Sequence, residues 1–239
     1  MTSGSSAPSS PDLRGRILGG RYRLIAPLGG GASAAVFAAE DEVLCRQVAV
    51  KVLHPALAAD RAFLRRFEAE ARVAAALRHP NVLLVHDWGD DDGTPFLVTE
   101  LLEGGSLKDL LDRGFRASPS QALQLGLEAC RGLDHAHRRG LVHRDVKPAN
   151  LLFDDEAHLR VADFGLARAI SEAATTEPLG AVLGTARYAS PEQAEGRPLN
   201  GRSDVYSLAL VLVEAMTGKV PFAADTSAAT LLARLDRPL

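Results

Sequence analysis

The sequence predicts an α+β chain of two lobes, a small β-rich one followed by a larger, mainly helical one. Two observations carry this. Between Tyr22 and Glu100, five short apolar segments are separated by turn residues and interrupted by one helical pattern. After Glu103-Gly104-Gly105 the periodicity becomes that of helices and stays so almost to the end. The expected division is 1–20 as a disordered leader, 21–103 as the first lobe and 104–239 as the second.

The strands come first. Tyr22 and Leu24 alternate with Arg21 and Arg23, as a half-buried strand does. Leu28-Gly29-Gly30-Gly31 reads as a turn, Ala35-Val36-Phe37-Ala38 as a second strand, and Gln47 to Leu53 as a third. Short links between them suggest an antiparallel meander. Asp60 is a candidate N-cap for the helix that follows, with Phe63, Phe67, Ala74 and Leu77 on one stripe. Glu70 falls on that stripe and needs a partner there. Val82 to Trp88 and Pro95 to Glu100 complete five strands, with the turn at Gly89 to Thr94.

The second lobe opens on Ser118-Pro119-Ser120-Gln121, a capping box with proline at the first helical position. Leu123, Leu127, Cys130 and Leu133/Ala136 are expected to form the buried stripe of that helix, and Gly140 to stop it. Leu151-Leu152-Phe153 and Leu159-Arg160-Val161 alternate as a strand pair. Ser203 to Thr217, ended by Gly218, is apolar almost all round and should be a buried central helix. A short helix is expected over Ser227 to Leu235.

Bulk properties narrow the function. The chain has 239 residues, 46% hydrophobic and 24% charged, which suits a globular domain. A net charge of −3 gives no reason to expect nucleic acid or an anionic membrane as partner. Cys45 and Cys130 stand in unrelated contexts, so neither a disulfide framework nor a cysteine metal site is expected; a reducing, cytoplasmic setting fits. The most apolar run, Val205 to Met216, contains Glu214 and is too short to span a bilayer. Met1 to Pro11 is rich in Ser, Pro and Gly and lacks the regions of a signal peptide.

Chemistry concentrates in His143-Arg144-Asp145-Val146-Lys147-Pro148-Ala149-Asn150 and Asp163-Phe164-Gly165. These supply a carboxylate base, a cation for phosphate and two oxygen ligands for magnesium, the equipment of phosphoryl transfer. Asp145 is the candidate base, Lys147 the γ-phosphate contact, and Asn150 and Asp163 the metal ligands. Gly29-Gly30-Gly31 sits in a strand–turn–strand. It serves either as a plain hairpin or as a flap whose backbone N–H groups approach phosphates. Lys51, closing Val48-Ala49-Val50-Lys51, is either a snorkelling strand-end lysine or, paired with Glu70, the contact to the α- and β-phosphates. His135 and His137 are two apart on a helix and are assigned no function. His143 reads as a packing residue.

This spacing is the protein-kinase signature. The chain resembles the protein kinases, and most nearly the bacterial serine/threonine kinases of eukaryotic type. Gly20 to Leu24, Arg78-His79-Pro80, Gly184-Thr185-Ala186-Arg187-Tyr188-Ala189-Ser190-Pro191-Glu192-Gln193 and Ser203-Asp204-Val205-Tyr206-Ser207-Leu208 look like that group. The resemblance implies a two-lobed protein-kinase-like fold with a five-stranded antiparallel N-lobe. It implies ATP and Mg2+, or Mn2+, as cofactors. Leu28, Gly29, Gly30, Gly31, Val36, Ala49, Lys51, Thr99, Glu100, Leu102, Ser106 and Leu152 would line the nucleotide site, with Thr99 as gatekeeper. Ala74, Val85, His143 and Phe164 would stack as a spine anchored near Asp204. Thr185 would contact Asp145 and Lys147, the latter marking the serine/threonine-specific loop. Protein Ser/Thr hydroxyls would be the acceptors. Thr175 and Thr176, in preference to Ser171, would be autophosphorylation sites, reached in trans through a transient homodimer.

Two departures stand out. Ala34 replaces the third glycine of the flap. The chain also stops at Leu239, before further C-lobe helices that kinases of this type carry, so apolar surface is expected to be exposed. In the family a later arginine pairs with the glutamate at Glu192, and Arg234 and Arg237 come too early to be that residue. The rival readings are a nucleotide-binding but inactive regulatory module, and a small-molecule kinase of related fold.

Overall fold

The computed structural model describes residues 13–31, 34–164, 187–224 and 226–236. It divides into two compact units, Met1–Leu64 with His86–Leu101, and Arg65–Val85 with Leu102–Leu239. Among the described residues no helix is long and apolar enough to cross a membrane.

The first unit is built on a six-stranded sheet: β1 (Ile17–Leu18), β2 (Tyr22–Gly30), β3 (Ala34–Asp41), β4 (Arg46–Leu53), β5 (Val85–Asp91) and β6 (Thr94–Glu100). Their order is β1-β2-β3-β4-β6-β5. The five expected strands are present. The sixth lies where a disordered leader was expected: Ile17 and Leu18 pair antiparallel with Arg23 and Tyr22. The composition of the first residues hid one buried apolar side chain, since Leu18 is 0% exposed and joins the core beneath the sheet. The turn between β5 and β6 is also tighter than expected. Asp92 and Gly93 both take positive φ, as a two-residue hairpin requires, so Gly89 to Asp91 remain strand.

Period-two alternation gives this sheet two different faces. Phe37, Ala39, Val48, Val50, Phe96 and Val98 bury on one of them with Tyr22 and Leu24. Arg21 closes the meander by clasping the buried Asp41 through bonds of 2.7 and 2.8 Å. The sheet's other face carries Val36, Ala49 and Lys51, with Val36 directly opposite Lys51 and Ala49 opposite Thr99.

After β4 come α1 (Pro55–Ala58) and α2 (Arg61–Ala75). Asp60 caps α2 as expected, its Oδ1 accepting from the amides of Ala62 and Phe63. Phe63, Phe67, Ala74 and Leu77 are all buried.

The second unit contains α3 (Leu107–Asp112), α4 (Pro119–His137), the pair β7 (Leu151–Phe153) and β8 (Leu159–Val161), α5 (Pro191–Ala194), α6 (Gly201–Thr217) and α7 (Ser227–Asp236). The capping box of α4 forms as expected, with Ser118 and Gln121 exchanging bonds. Its buried face differs from the expectation. Leu133 and Ala136 are buried, but Leu123 is 76% exposed, Leu127 47%, and Cys130 is exposed. The helix packs instead through Ala122, Gly126, Ala129 and Gly132. Small residues let backbones come close, and a Cβ at Gly132 would lie 2.4 Å from the Asn81 carbonyl oxygen. Hydrophobicity marked the large apolar residues, whereas close approach selected the small ones. Glu128, also buried, accepts from the Leu159 amide at 2.6 Å and so secures β8.

Helix α6 was expected to be buried nearly all round, but it buries one face, with Ser207, Leu208, Leu210, Val211 and Ala215, and leaves Val205 and Met216 exposed. Asn200 caps its start and the left-handed Gly218 ends it. The linker Glu103-Gly104-Gly105 runs beside β7: Gly104 donates to the Phe153 carbonyl at 3.0 Å, and Phe153 donates to that of Gly105 at 2.9 Å. A Cβ on Gly104 would fall 2.5 Å from the Asp154 carbonyl oxygen, which explains the glycine there.

Candidate active site

The loop between α4 and β7 takes its shape from a carboxylate far along the chain. Asp204, in the first turn of α6 and 1% exposed, accepts from the main-chain amides of His143 at 2.8 Å and Arg144 at 2.7 Å. His137 donates to the same side chain through Nε2 at 2.7 Å. Arg144 stands at φ +70°, which is strained for a residue with a Cβ and needs such support. The packing role expected for His143 holds, since it is fully buried. Its Nδ1 accepts from the Asp145 amide at 3.2 Å, so Nε2 carries the proton given to the Ala162 carbonyl at 2.7 Å. Its ring lies 4.7 Å from that of Phe164. One imidazole thereby joins the candidate base to the strand end that precedes Asp163.

The polar groups then converge. Lys147 Nζ lies 2.7 Å from Asp145 Oδ2. Asn150 donates from Nδ2 to the Asp145 carbonyl at 2.8 Å, and its own carbonyl accepts from Ala162 at 2.9 Å. The amide nitrogen of Asn150 is therefore engaged, and the side-chain oxygen is the atom it offers a cation. That oxygen and the Asp163 carboxylate are each hard donors of the kind magnesium takes. Asp163 also has positive φ, +62°. Two strained non-glycine residues bracket the site, as is common where geometry is prescribed by function.

Other expected residues fall as follows. Ser106 bridges Leu152 across an isolated β contact, which puts these two nucleotide-site candidates side by side. The Ser106 hydroxyl is also committed to capping α3, donating to Asp109 Oδ2 at 2.6 Å. In the first unit, Val36, Ala49, Lys51 and Thr99 share one sheet face, and Glu100 ends β6. Gly29 and Gly30 belong to β2, opposite Val36 and Ala35, so the turn expected at Leu28 to Gly31 is shorter. Neither Gly29 nor Gly31 has positive φ, and a Cβ on either meets nothing within 4 Å. Among the described residues no neighbour requires glycine at these two positions. Lys51 belongs to the first unit, whereas Glu70 and Leu102 belong to the second. Thr175, Thr176, Ser171 and Thr185 lie outside the described residues.

Three contributors escaped the sequence reading. His137 was assigned no function, yet it bonds Asp204. His54 bonds the Gly31 carbonyl through Nε2 at 2.9 Å, at the tip of the glycine turn. Arg234, set aside as too early in the chain, donates to the carbonyls of Ala189 and Arg187. No local spacing announces these contacts, because each joins residues distant in sequence.

Comparison with known proteins identifies the family. The family model described as "Protein kinase domain" matches residues 22–237. The chain belongs to that family. The kinase domain is 39% identical over 223 residues to the serine/threonine-protein kinase PrkC of Bacillus subtilis, covering 93% of this chain and 34% of PrkC. It is 43% identical over 213 residues to PknB of Mycobacterium leprae, covering 87% of this chain and 34% of PknB. PknA of Mycobacterium tuberculosis is 42% identical over 229 residues, 94% of this chain and 53% of PknA. The domain thus spans a third to a half of the length of these relatives. Among solved structures, the PknI kinase domain of Mycobacterium tuberculosis superposes with a TM-score of 0.71 at 33% identity, covering 88% of this chain and 79% of that one.

Proposed function

We propose that this chain transfers the γ-phosphoryl group of ATP to serine and threonine hydroxyls of proteins. The observation that carries the reading is the Lys147–Asp145 contact of 2.7 Å on a loop whose Asn150 is tied to the same aspartate. It sets a carboxylate base beside a cation and next to a metal-competent amide. Magnesium, or manganese, supplies charge neutralisation on the nucleotide phosphates when bound. Asp145 accepts a hydrogen bond from the acceptor hydroxyl and takes its proton as the new O–P bond forms and the bond to ADP breaks. Lys147 steadies the transferred group. Lys51 takes the α- and β-phosphates. Asn150 and Asp163 hold the cation. Val36, Ala49, Thr99, Glu100, Leu102 and Leu152 receive the adenine, and Gly29 to Gly31 cover the phosphates. The bare glycine surface at Gly29 and Gly31 supports that last role.

In this reading Thr175 and Thr176 are autophosphorylated in trans within a transient dimer, and the domain works in the cytosol, where ATP is available. The decisive experiment incubates the protein with labelled ATP and magnesium, once with a generic basic protein and once with a panel of sugars and antibiotics. Label on protein hydroxyls, and phosphate between Ala167 and Gly184 by mass spectrometry, is the expected result. Label on a small molecule alone would overturn the protein-substrate assignment. Nucleotide-dependent stabilisation with no transfer at all would make the domain a binding module.

A further inference from the structure

We propose that Arg234 is a positioning residue for the protein substrate, because it fixes the main chain at Arg187–Ala189, just before α5 and within the Gly184–Gln193 stretch that resembles the serine/threonine kinases. The inference rests on the protein-kinase reading above. Arg234 lies in α7 and is 4% exposed. A guanidinium taken out of water needs acceptors for its donors. Nη1 donates to the Ala189 carbonyl at 2.8 Å, and Nη2 donates to the Arg187 carbonyl. One rigid fork therefore holds two carbonyls two residues apart, a geometry that a lysine ammonium does not reproduce.

The pinned stretch is attached on two further sides. Tyr188, between the two carbonyls, donates its hydroxyl to Glu214 Oε2 on α6 at 2.7 Å. Ser190 then caps α5, and Gln193 of α5 donates to the Arg144 carbonyl at 2.8 Å. Arg144 immediately precedes Asp145. A chain of contacts thus runs from α7 through Arg187–Gln193 to the residue beside the candidate base. The two acceptors of its fork, Arg187 and Ala189, are not among the residues assigned to the nucleotide. Loosening it should disturb where the acceptor peptide sits and leave ATP binding alone. Burial lowers the pKa of Arg234 from the ordinary arginine value, with Tyr206 and Tyr188 opposing that shift.

The test compares the parent with Arg234→Lys and Arg234→Gln on a serine/threonine acceptor peptide. Arg234→Lys keeps the charge and guards against a variant that fails to fold. The expected result is a rise of about tenfold in peptide KM, the loss of one charged hydrogen bond, with ATP KM unchanged. Hydrogen exchange should quicken across residues 187–193 and not elsewhere. Peptide KM unchanged in both variants would overturn the proposal, and so would equal rises in peptide and ATP KM. If the parent itself transfers no phosphate, the kinase reading fails. The exchange experiment then judges the anchor alone: faster exchange confined to 187–193 supports it, and unchanged exchange overturns it.

Discussion

Asp204 holds the backbone of Arg144 in a left-handed conformation: its Oδ1 accepts from the Arg144 amide at 2.7 Å, and φ there is +70°. The two residues are 60 positions apart. Because the other oxygen serves His143 and His137, both carboxylate oxygens are occupied. Asp204→Asn leaves a single accepting oxygen for three donors. We expect kcat to fall about 100-fold, the usual cost of displacing a catalytic group by about an ångström. The stabilisation by ATP–magnesium in a thermal melt should survive. A kcat within twofold of the parent would show that the loop does not need this support.

Asp145→Asn removes the base and keeps the shape. Transfer should drop by two to four orders of magnitude, roughly the general-base contribution, while nucleotide still raises the melting temperature. Lys51→Met should abolish transfer with nucleotide binding only partly retained. A Asp145→Asn protein that still turns over normally would sink the mechanism.

Gly132→Ala separates intrinsic propensity from packing. In an open helix this change stabilises by about 1 kcal/mol. Here the added Cβ would sit 2.4 Å from the Asn81 carbonyl oxygen. That carbonyl accepts from the Val161 amide at 2.9 Å, so it is not at liberty to move. We expect a net loss of about 1–3 kcal/mol in denaturant unfolding, typical of overpacking. A stabilised variant would contradict the close approach of α4.

The pairing of Asp41 sets an acid dependence. Its bonds to Arg21, helped by the Leu44 amide, hold its pKa well below the usual carboxylate range. Stability from a depressed pKa is complete above the unfolded value, near 4, and is lost as the pH falls toward the folded value. The parent should therefore lose melting temperature below about pH 4 more steeply than Asp41→Asn. At neutral pH the variant should be the less stable by about 2 kcal/mol, from weakened charge-assisted bonds. Parallel acid profiles for the two proteins would remove Asp41 from the account.

The candidate site was legible in the sequence to the extent that its chemistry is local. His143 to Asn150 form one loop, so their residue types and spacing already indicate what they offer a phosphate. The same holds for Asp60 and Ser118, whose caps act within three residues. Legibility failed where contacts are distant. Leu123 and Leu127 carry the hydrophobic signal of α4, yet the helix buries its small residues instead. Ile17 and Leu18 sit next to a polar leader and pair into the sheet, because one buried leucine outweighs the surrounding composition.

The sequence by itself pointed to the chemistry of the His143–Asn150 loop, to five strands and the long helices, and to the caps at Asp60 and Ser118, all of which depend on side chains within a few positions of one another. Only the tertiary structure decided what holds that chemistry in place. Asp204 under Arg144, His137 on Asp204, Gln193 on Arg144 and Arg234 on Ala189 all join separate elements. Such bonds follow from burial, which demands a partner for every polar group taken from water but does not say in the sequence which partner it will be.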